Sequence, residues 1–278
     1  MRYVTYDAGG GPRVGEIAGD GVVDLGWDGD MVAFIAAGAP AGQRRPVGAV
    51  RLLAPLRPRS LRDFLAFEGH LRNAYDRLGR PIPDEWYEVP AYYKGMPDTV
   101  IGPEDQVPWP AWTDRLDHEL ELAAVIGRDA RDVAAAEAEA CIFGYTIWND
   151  LSARDVQARE LPVGMGPGKA KDWDGANVLG PCIATPDELD ARDARMRVRV
   201  NGELWGEDTS AHMHHTFADM IAYVSRSQTL RAGEVLGSGT AAGGSGLELD
   251  RWLAPGDVVE LEIDGIGVLR NRIGPKGA

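Results

Sequence analysis

The chain of 278 residues is poor in the residues that staple small folds or hold soft metals: it has two cysteines and five histidines. Cys141 and Cys182 both sit in apolar stretches, which reads as two buried thiols of a cytosolic protein rather than a disulfide. No Cys or His residues cluster at zinc spacing. His212-x-His214-His215 comes nearest and reads as a loop or surface feature. Basic residues are scarce beside acidic ones, 29 against 43, for a net charge of −14. That balance excludes nucleic acid as a natural partner and favours solubility. No apolar run approaches the roughly 20 residues of a membrane span. Met1-Arg2-Tyr3-Val4-Thr5-Tyr6 reads as a first strand rather than a signal peptide, and no repeat of fixed period is evident. What remains, 44% hydrophobic and 26% charged, is a cytoplasmic globular chain without membrane or nucleic-acid partners.

Glycine and proline are frequent, 35 and 18, and they separate many short strand-like segments. The fold class is therefore an α+β, β-rich mixed fold, not a doubly wound sheet. Residues 1–55 read as a small N-terminal domain: strands near Tyr3–Asp7 and Val14–Ala18, a turn at Asp20-Gly21, the segment Val22–Leu25, and a short helix near Met31–Ala37. Pro46, Pro55 and Pro58 punctuate a linker, and residues 56–278 form the larger domain. The pattern predicts a helix over 60–78, with Ser60 as N-cap and Asp63 in its first turn. Residues 79–113, with many prolines and tryptophans, read as an irregular loop. Trp86, Trp109 and Trp112 there either shape an apolar pocket or pack against a partner subunit. From 116 to 275 the pattern is mostly strands, with helices near Ala134–Ala140, Ser152–Gln157 and Phe217–Arg226. A hairpin turns at Asp264-Gly265.

The chemistry begins at Leu116-Asp117-His118-Glu119-Leu120-Glu121-Leu122. On a strand, residues two apart point the same way. Glu119 and Glu121 therefore project together while Leu120 and Leu122 face the other side. Two adjacent carboxylates repel, and burying them costs on the order of several kcal/mol unless a cation lies between them. The pair alone fits a solvated strand face as well as a metal site. Asp150 ends the apolar strand Cys141–Asp150; taken alone it reads most simply as a helix N-cap. An all-carboxylate set selects Mg²⁺, Mn²⁺ or Ca²⁺.

Read together, these pieces resemble the fumarylacetoacetate hydrolase family over roughly residues 60–275. The Glu119-Leu120-Glu121 strand resembles the family's glutamate ligands. Asn149-Asp150-Leu151-Ser152-Ala153-Arg154-Asp155-Val156-Gln157 resembles its Asp-x-Ser-Ala-Arg-Asp-x-Gln segment. The resemblance implies that Asp150 is a metal ligand and that Arg154 and Gln157 contact substrate. Gly168–Gly175 followed by Gly180-Pro181 resembles the family's lysine segment, and counting back from Gly180-Pro181 places the functional lysine at Lys171. Gly175 stands where the family usually has threonine. Asp63-Phe64 with His70 resembles the segment supplying a fourth ligand, Asp63, and the base, His70. Gly237-Ser238-Gly239-Thr240 resembles a substrate loop, implying a contact from Thr240. Gly246-Leu247-Glu248-Leu249 resembles the segment whose glutamate, Glu248, orients the histidine. Many shorter relatives, acylpyruvate hydrolases and oxaloacetate decarboxylases among them, lack that glutamate and carry one three residues after the histidine, where this chain has Asn73. Ala91-Tyr92-Tyr93-Lys94-Gly95 resembles a further substrate region, with Tyr93 as the contact.

The resemblance thus implies a β-roll or sandwich catalytic domain and a homodimer. It implies a divalent-metal-dependent hydrolase cleaving a C–C bond in a 1,3-dicarbonyl keto acid, fumarylacetoacetate-like or acylpyruvate-like. Lys171 would stabilise an oxyanion beside the His70–Glu248 pair. The alternatives are a 2-oxo acid decarboxylase, or an oxo-dienoate isomerase or hydratase, on the same metal.

Overall fold

The computed structural model describes residues 1–277, leaving aside the side chains of Arg77 and Leu78. The N-terminal segment is strand-rich: β1 (Arg2–Asp7), β2 (Pro12–Ala18), β3 (Gly21–Asp24), helix α1 (Met31–Ala36), β4 (Arg45–Val47) and β5 (Arg51–Leu52). The turn from β1 to β2 is set by Asp7, whose Oδ1 accepts from the amides of Gly9, Gly10 and Gly11. Asp30 caps α1 by accepting from the Ala33 amide at 2.7 Å. β4 and β5 fall where the prolines suggested only a linker; both are paired, to β3 and β1.

The stretch expected as one helix over 60–78 divides in two. Leu61–Phe64 is a strand, β6, and the helix α2 begins only at Glu68, running Glu68–Leu78. Ser60 is not a cap; its hydroxyl donates to Glu234 at 2.7 Å. Pairing decides this. β6 has a neighbour on each side and all four of its residues are buried, so tertiary pairing overrides a local capping pattern. The segment expected as irregular loop is also largely ordered: α3 (Glu85–Glu88), β7 (Tyr92–Gly95), β8 (Val100–Ile101) and β9 (Gln106–Trp109). Trp86 and Trp109 are buried, and Trp112 is exposed.

The remainder comprises β10 (Leu116–Asp117), β11 (Leu120–Ile126), α4 (Ala135–Ala138), β12 (Ile142–Asp150), β13 (Ser152–Ala153), α5 (Arg154–Glu160), β14 (Asn177–Ala184), β15 (Arg195–Val200), β16 (Glu203–Thr209), α6 (Phe217–Val224), β17 (Val235–Gly237), α7 (Gly246–Leu249), β18 (Val258–Ile263) and β19 (Gly267–Lys276). α5 starts two residues later than its sequence suggests, because Ser152 and Ala153 pair with β10. Asp150 therefore caps no helix; Ala153 occupies that position.

One large sheet runs β4-β3-β2-β1-β14-β12-β11-β17-β6-β7, and a five-stranded sheet, β16-β15-β18-β19-β9, packs against it. The N-terminal strands join the large sheet through the β1–β14 pairing. β11 is buried along its whole length. Leu120, Leu122, Ala124 and Ile126 enter one core cluster, and Ala123 and Val125 enter a second on the opposite face with Trp148 and Leu61. Alternation puts Glu121 on that second face, at its open end. Cys141 and Cys182 are buried free thiols, as their apolar surroundings suggested.

Candidate metal centre and active site

Asp150, Glu119, Glu121 and Asp63 converge because their strands are neighbours in the order β12-β11-β17-β6. Glu121 is in register with Trp148, so Asp150, two residues on, lies on the same face beside Glu119. Asp63 stands two strands from β11, with β17 between, and its partner in β17 is Gly237. Strands lie about 4.8 Å apart, so Asp63 and Glu121 meet only across a position that carries no side chain. A Cβ on Gly237 would come 2.6 Å from Glu121 Oε2 and 2.6 Å from the Trp148 ring. Gly237→Ala is expected to displace Glu121 and weaken divalent-ion binding about tenfold or more, since overpacking of this kind costs about 1–3 kcal/mol. Isothermal titration of the variant with Mn²⁺ checks this; unchanged affinity refutes the spacing argument.

All four carboxylates are buried, and each offers an oxygen within 4.8 Å of the others. Among the described residues neither Glu121 oxygen, nor Asp150 Oδ1, has a hydrogen-bond partner. Burial, then repulsion by Asp150, pushes the Asp63 carboxyl well above its usual range. Burial and the charges of Asp63 and Asp150 do the same to Glu121. Burial also lifts Asp150, to about 6, against the pull of Lys171. Glu119 goes the other way: burial opposes its ionisation, yet Lys171 and Arg154 hold it well below the ordinary range. Lys171 Nζ donates to Glu119 Oε2 at 2.5 Å and to Asp150 Oδ2. Arg154 Nη2 donates to Glu119 Oε1 at 2.7 Å. Two cations thus serve one side of the cluster, while Asp63 and Glu121 face each other unneutralised. A hard divalent cation fits what those orphan oxygens lack.

His70 lies near the start of α2 and is buried. Its Nδ1 is 2.9 Å from Glu248 Oε2, within ion-pair distance. Glu248 also accepts from Asn73 Nδ2 at 2.8 Å, the Gly243 amide at 2.9 Å and the Ser245 hydroxyl at 2.9 Å. Burial opposes its ionisation, but His70 and these donors hold the carboxyl below its usual range. Residues 70 and 248 therefore meet although 178 positions separate them.

The other expected contacts lie around this centre. Tyr93, on β7, donates its hydroxyl to Asp150 Oδ2 at 2.5 Å, and the Lys171 ammonium stands over its ring at 5.5 Å. Burial, then the nearby carboxylates, raises the Tyr93 phenol well above its usual value. Gln157 accepts from Arg154 Nη1 at 2.9 Å. Thr240 is buried just after Gly239, whose amide donates to Asp63 at 3.1 Å. The His212–His215 cluster lies elsewhere: His212 pairs with Asp208, while His214 and His215 each contact a backbone carbonyl.

Two buried residues next to the site's glutamates, one of them tied to the site, are not singled out by the sequence motifs. Asp117 is wholly buried and accepts from Arg154 Nε at 2.8 Å. Its signal is the same alternation, which puts 117 on the face of 119 and 121. His118 is wholly buried against Trp205, with both ring nitrogens lacking a hydrogen-bond partner among the described residues. Burial depresses its pKa, keeping the ring neutral.

A β-rich α+β fold closing on four buried carboxylates that could hold a divalent cation, with a histidine–glutamate pair beside them, has the form of an enzyme site. Residues 60–274 match the family model described as fumarylacetoacetate (FAA) hydrolase C-terminal, and residues 1–55 match one described as Rv2993c-like, N-terminal. The chain belongs to the fumarylacetoacetate hydrolase family, whose enzymes generally use a divalent metal and include hydrolases, isomerases and tautomerases. It is 32% identical over 230 residues to the oxaloacetate tautomerase YisK of Bacillus subtilis, covering 81% of this chain and 73% of that protein. It is similar in structure to a fumarylacetoacetate hydrolase from psychrophilic Exiguobacterium antarcticum, with a TM-score of 0.85, 29% identity and 99% of both chains covered. A 5-carboxymethyl-2-hydroxymuconate delta-isomerase from Mycobacterium smegmatis matches with a TM-score of 0.81 and 29% identity, over 99% of this chain and 100% of that one.

Proposed function

We propose that this chain hydrolyses a C–C bond in a 1,3-dicarbonyl acid of the acylpyruvate or fumarylacetoacetate type, using a divalent cation, Mg²⁺ foremost. The observation that carries the reading is Glu248 against His70, with an amide rather than a carboxylate at position 73. A base that removes a proton from water must hold one tautomer and tolerate becoming a cation, and a carboxylate at Nδ1 serves both needs.

Asp63, Glu119, Glu121 and Asp150 would hold the cation, which supplies a Lewis acid for the negative charge that develops on the dicarbonyl oxygens. His70 takes a proton from water as its oxygen bonds to the distal carbonyl carbon. Lys171 faces the oxyanion that results. When the C–C bond breaks, its electron pair leaves with the keto-acid fragment, and the imidazolium returns the proton to that carbon. By the likeness to the family, Arg154, Gln157, Tyr93 and Thr240 would contact the substrate.

A second reading, an isomerase or tautomerase acting on a related oxo acid, is favoured by the likeness to the Bacillus subtilis tautomerase. It needs proton movement between carbon and oxygen but no water, so the metal side serves both readings. An Mg²⁺-loaded panel of acylpyruvates, a fumarylacetoacetate analogue, oxaloacetate and oxo-dienoates separates them. The hydrolase reading expects pyruvate release from an acylpyruvate, abolished by chelator. Rapid oxaloacetate keto–enol exchange with no cleavage of any dicarbonyl acid would replace it with the second.

A further inference from the structure

We propose that Asp117 is a positioning residue for the metal centre: it holds one edge of the Arg154 guanidinium and so keeps Arg154 from closing fully on Glu119. The inference rests on the metal-centre reading above and concerns a residue outside the ligand set.

Arg154 is the first residue of α5, and its amide is fixed by the Arg115 carbonyl at 2.9 Å. Its side chain is about 5% exposed, so it does not draw on bulk water for its charge. Three edges of the guanidinium are assigned: Nε to Asp117 Oδ2, Nη1 to Gln157 and Nη2 to Glu119 Oε1. Glu119 therefore receives one N–H from this group. Guanidinium and carboxylate pair best in parallel, with two N–H bonds to two oxygens. Released from Asp117, the planar fork can turn its Nε–Nη2 edge toward Glu119. The second bond would fall on Glu119 Oε2, which Lys171 already holds, and would bring the full guanidinium charge closer to any cation in the centre.

Asp117 is itself firmly placed. It lies in β10, paired with β13 immediately before Arg154. Its carboxylate also accepts from the amides of His118, Gly246 and Leu247 at 2.8–3.0 Å. The last two open α7, the helix that carries Glu248. Gly246 permits that approach: a Cβ there would lie 2.7 Å from Asp117 Oδ1 and 2.1 Å from the Arg251 carbonyl. One buried carboxylate thus joins the wall of the metal centre to the helix bearing the partner of His70.

The test is calorimetric titration of the full chain with Mg²⁺ and with Mn²⁺, comparing wild type, Asp117→Asn, Arg154→Gln and the double variant. Asp117→Asn is expected to weaken the ion about tenfold, but by less than about threefold when position 154 is already Gln. Arg154→Gln alone, which keeps a donor toward Asp117 but no charge, is expected to leave affinity unchanged or raise it. Equal losses in both backgrounds mean that Asp117 acts only through general structure, and overturn the proposal. So does a loss caused by Arg154→Gln, which decides the matter even if Asp117→Asn does not fold. A wild type that binds neither ion overturns the metal-centre reading itself, and this proposal with it.

Discussion

Glu121→Gln is expected to raise the thermal stability of the metal-free protein at pH 8 while lowering Mg²⁺-dependent activity at least about a thousandfold. The two effects share one cause. Glu121 is buried with neither oxygen satisfied among the described residues, and it faces Asp63 and Asp150. Without a cation this is an uncompensated charge or a forced proton, and an amide removes it. With a cation the same oxygens are ligands, and an amide is a poor substitute. The pH dependence follows. Asp63, Glu121 and Asp150 have folded pKa values raised above those of the unfolded chain. Their protonated forms therefore stabilise the fold at low pH. That contribution is full below about pH 4 and is lost as pH rises through the folded values, about 6 for Asp150 and well above the ordinary carboxylate range for the other two. Chelated wild type should lose melting temperature between pH 5 and 8, and Glu121→Gln should lose less. Saturating Mg²⁺ should restore wild type, with about 2.7 kcal/mol gained at a hundred times its dissociation constant, and should leave the variant unmoved. A variant less stable than wild type in chelator at pH 8 would rule out repulsion as the dominant force in the empty centre.

His70→Ala is expected to lower kcat by about 10²–10⁴ with the Mg²⁺-induced rise in melting temperature intact, because no imidazole atom belongs to the carboxylate cluster. Glu248→Gln should lower kcat by a smaller factor. The amide still accepts hydrogen bonds, but it cannot stabilise the imidazolium. Measuring kcat beside the metal-dependent thermal shift separates the base from the metal centre. Near-full hydrolysis by either variant removes the pair from the mechanism. A lost thermal shift in His70→Ala would instead place the histidine in the metal's support.

The strands are legible in the sequence wherever alternation is strong. The β18–β19 hairpin follows the period of two, β11 and β12 stand out as apolar runs, and the alternation ahead of β11 puts Glu119 and Glu121 on one face. The segment around Asp63 misleads because Ser60 and Asp63 imitate the start of a helix. Only the pairing with β7 and β17, over distances that sequence periodicity does not encode, turns it into a strand. The site residues are another matter. Nothing local joins His70 to Glu248 or Asp63 to Glu121, and the family likeness, not periodicity, suggests those partnerships. Asp117 is the reverse case. The alternation that singles out Glu119 and Glu121 applies to it equally, but a lone aspartate ahead of a buried strand has the pattern of an ordinary solvated turn. Its burial comes from Arg154 and the α7 amides, which lie 37 and 129 or more positions away.

The gap at Gly237 has a mechanical side. A cation in the centre would tie β6, β11 and β12 together across a strand that contributes nothing to the bond, like a rivet passing over the middle of three planks. It would close a loop from residue 63 to residue 150 that no disulfide spans. Strand β17, pinned beneath, could then leave the sheet only after the ion. Amide exchange at Val235 and Leu236 should accordingly slow on metal loading more than exchange in β2 or β3, far along the same sheet, so that the least reactive strand of the site becomes its most sensitive reporter.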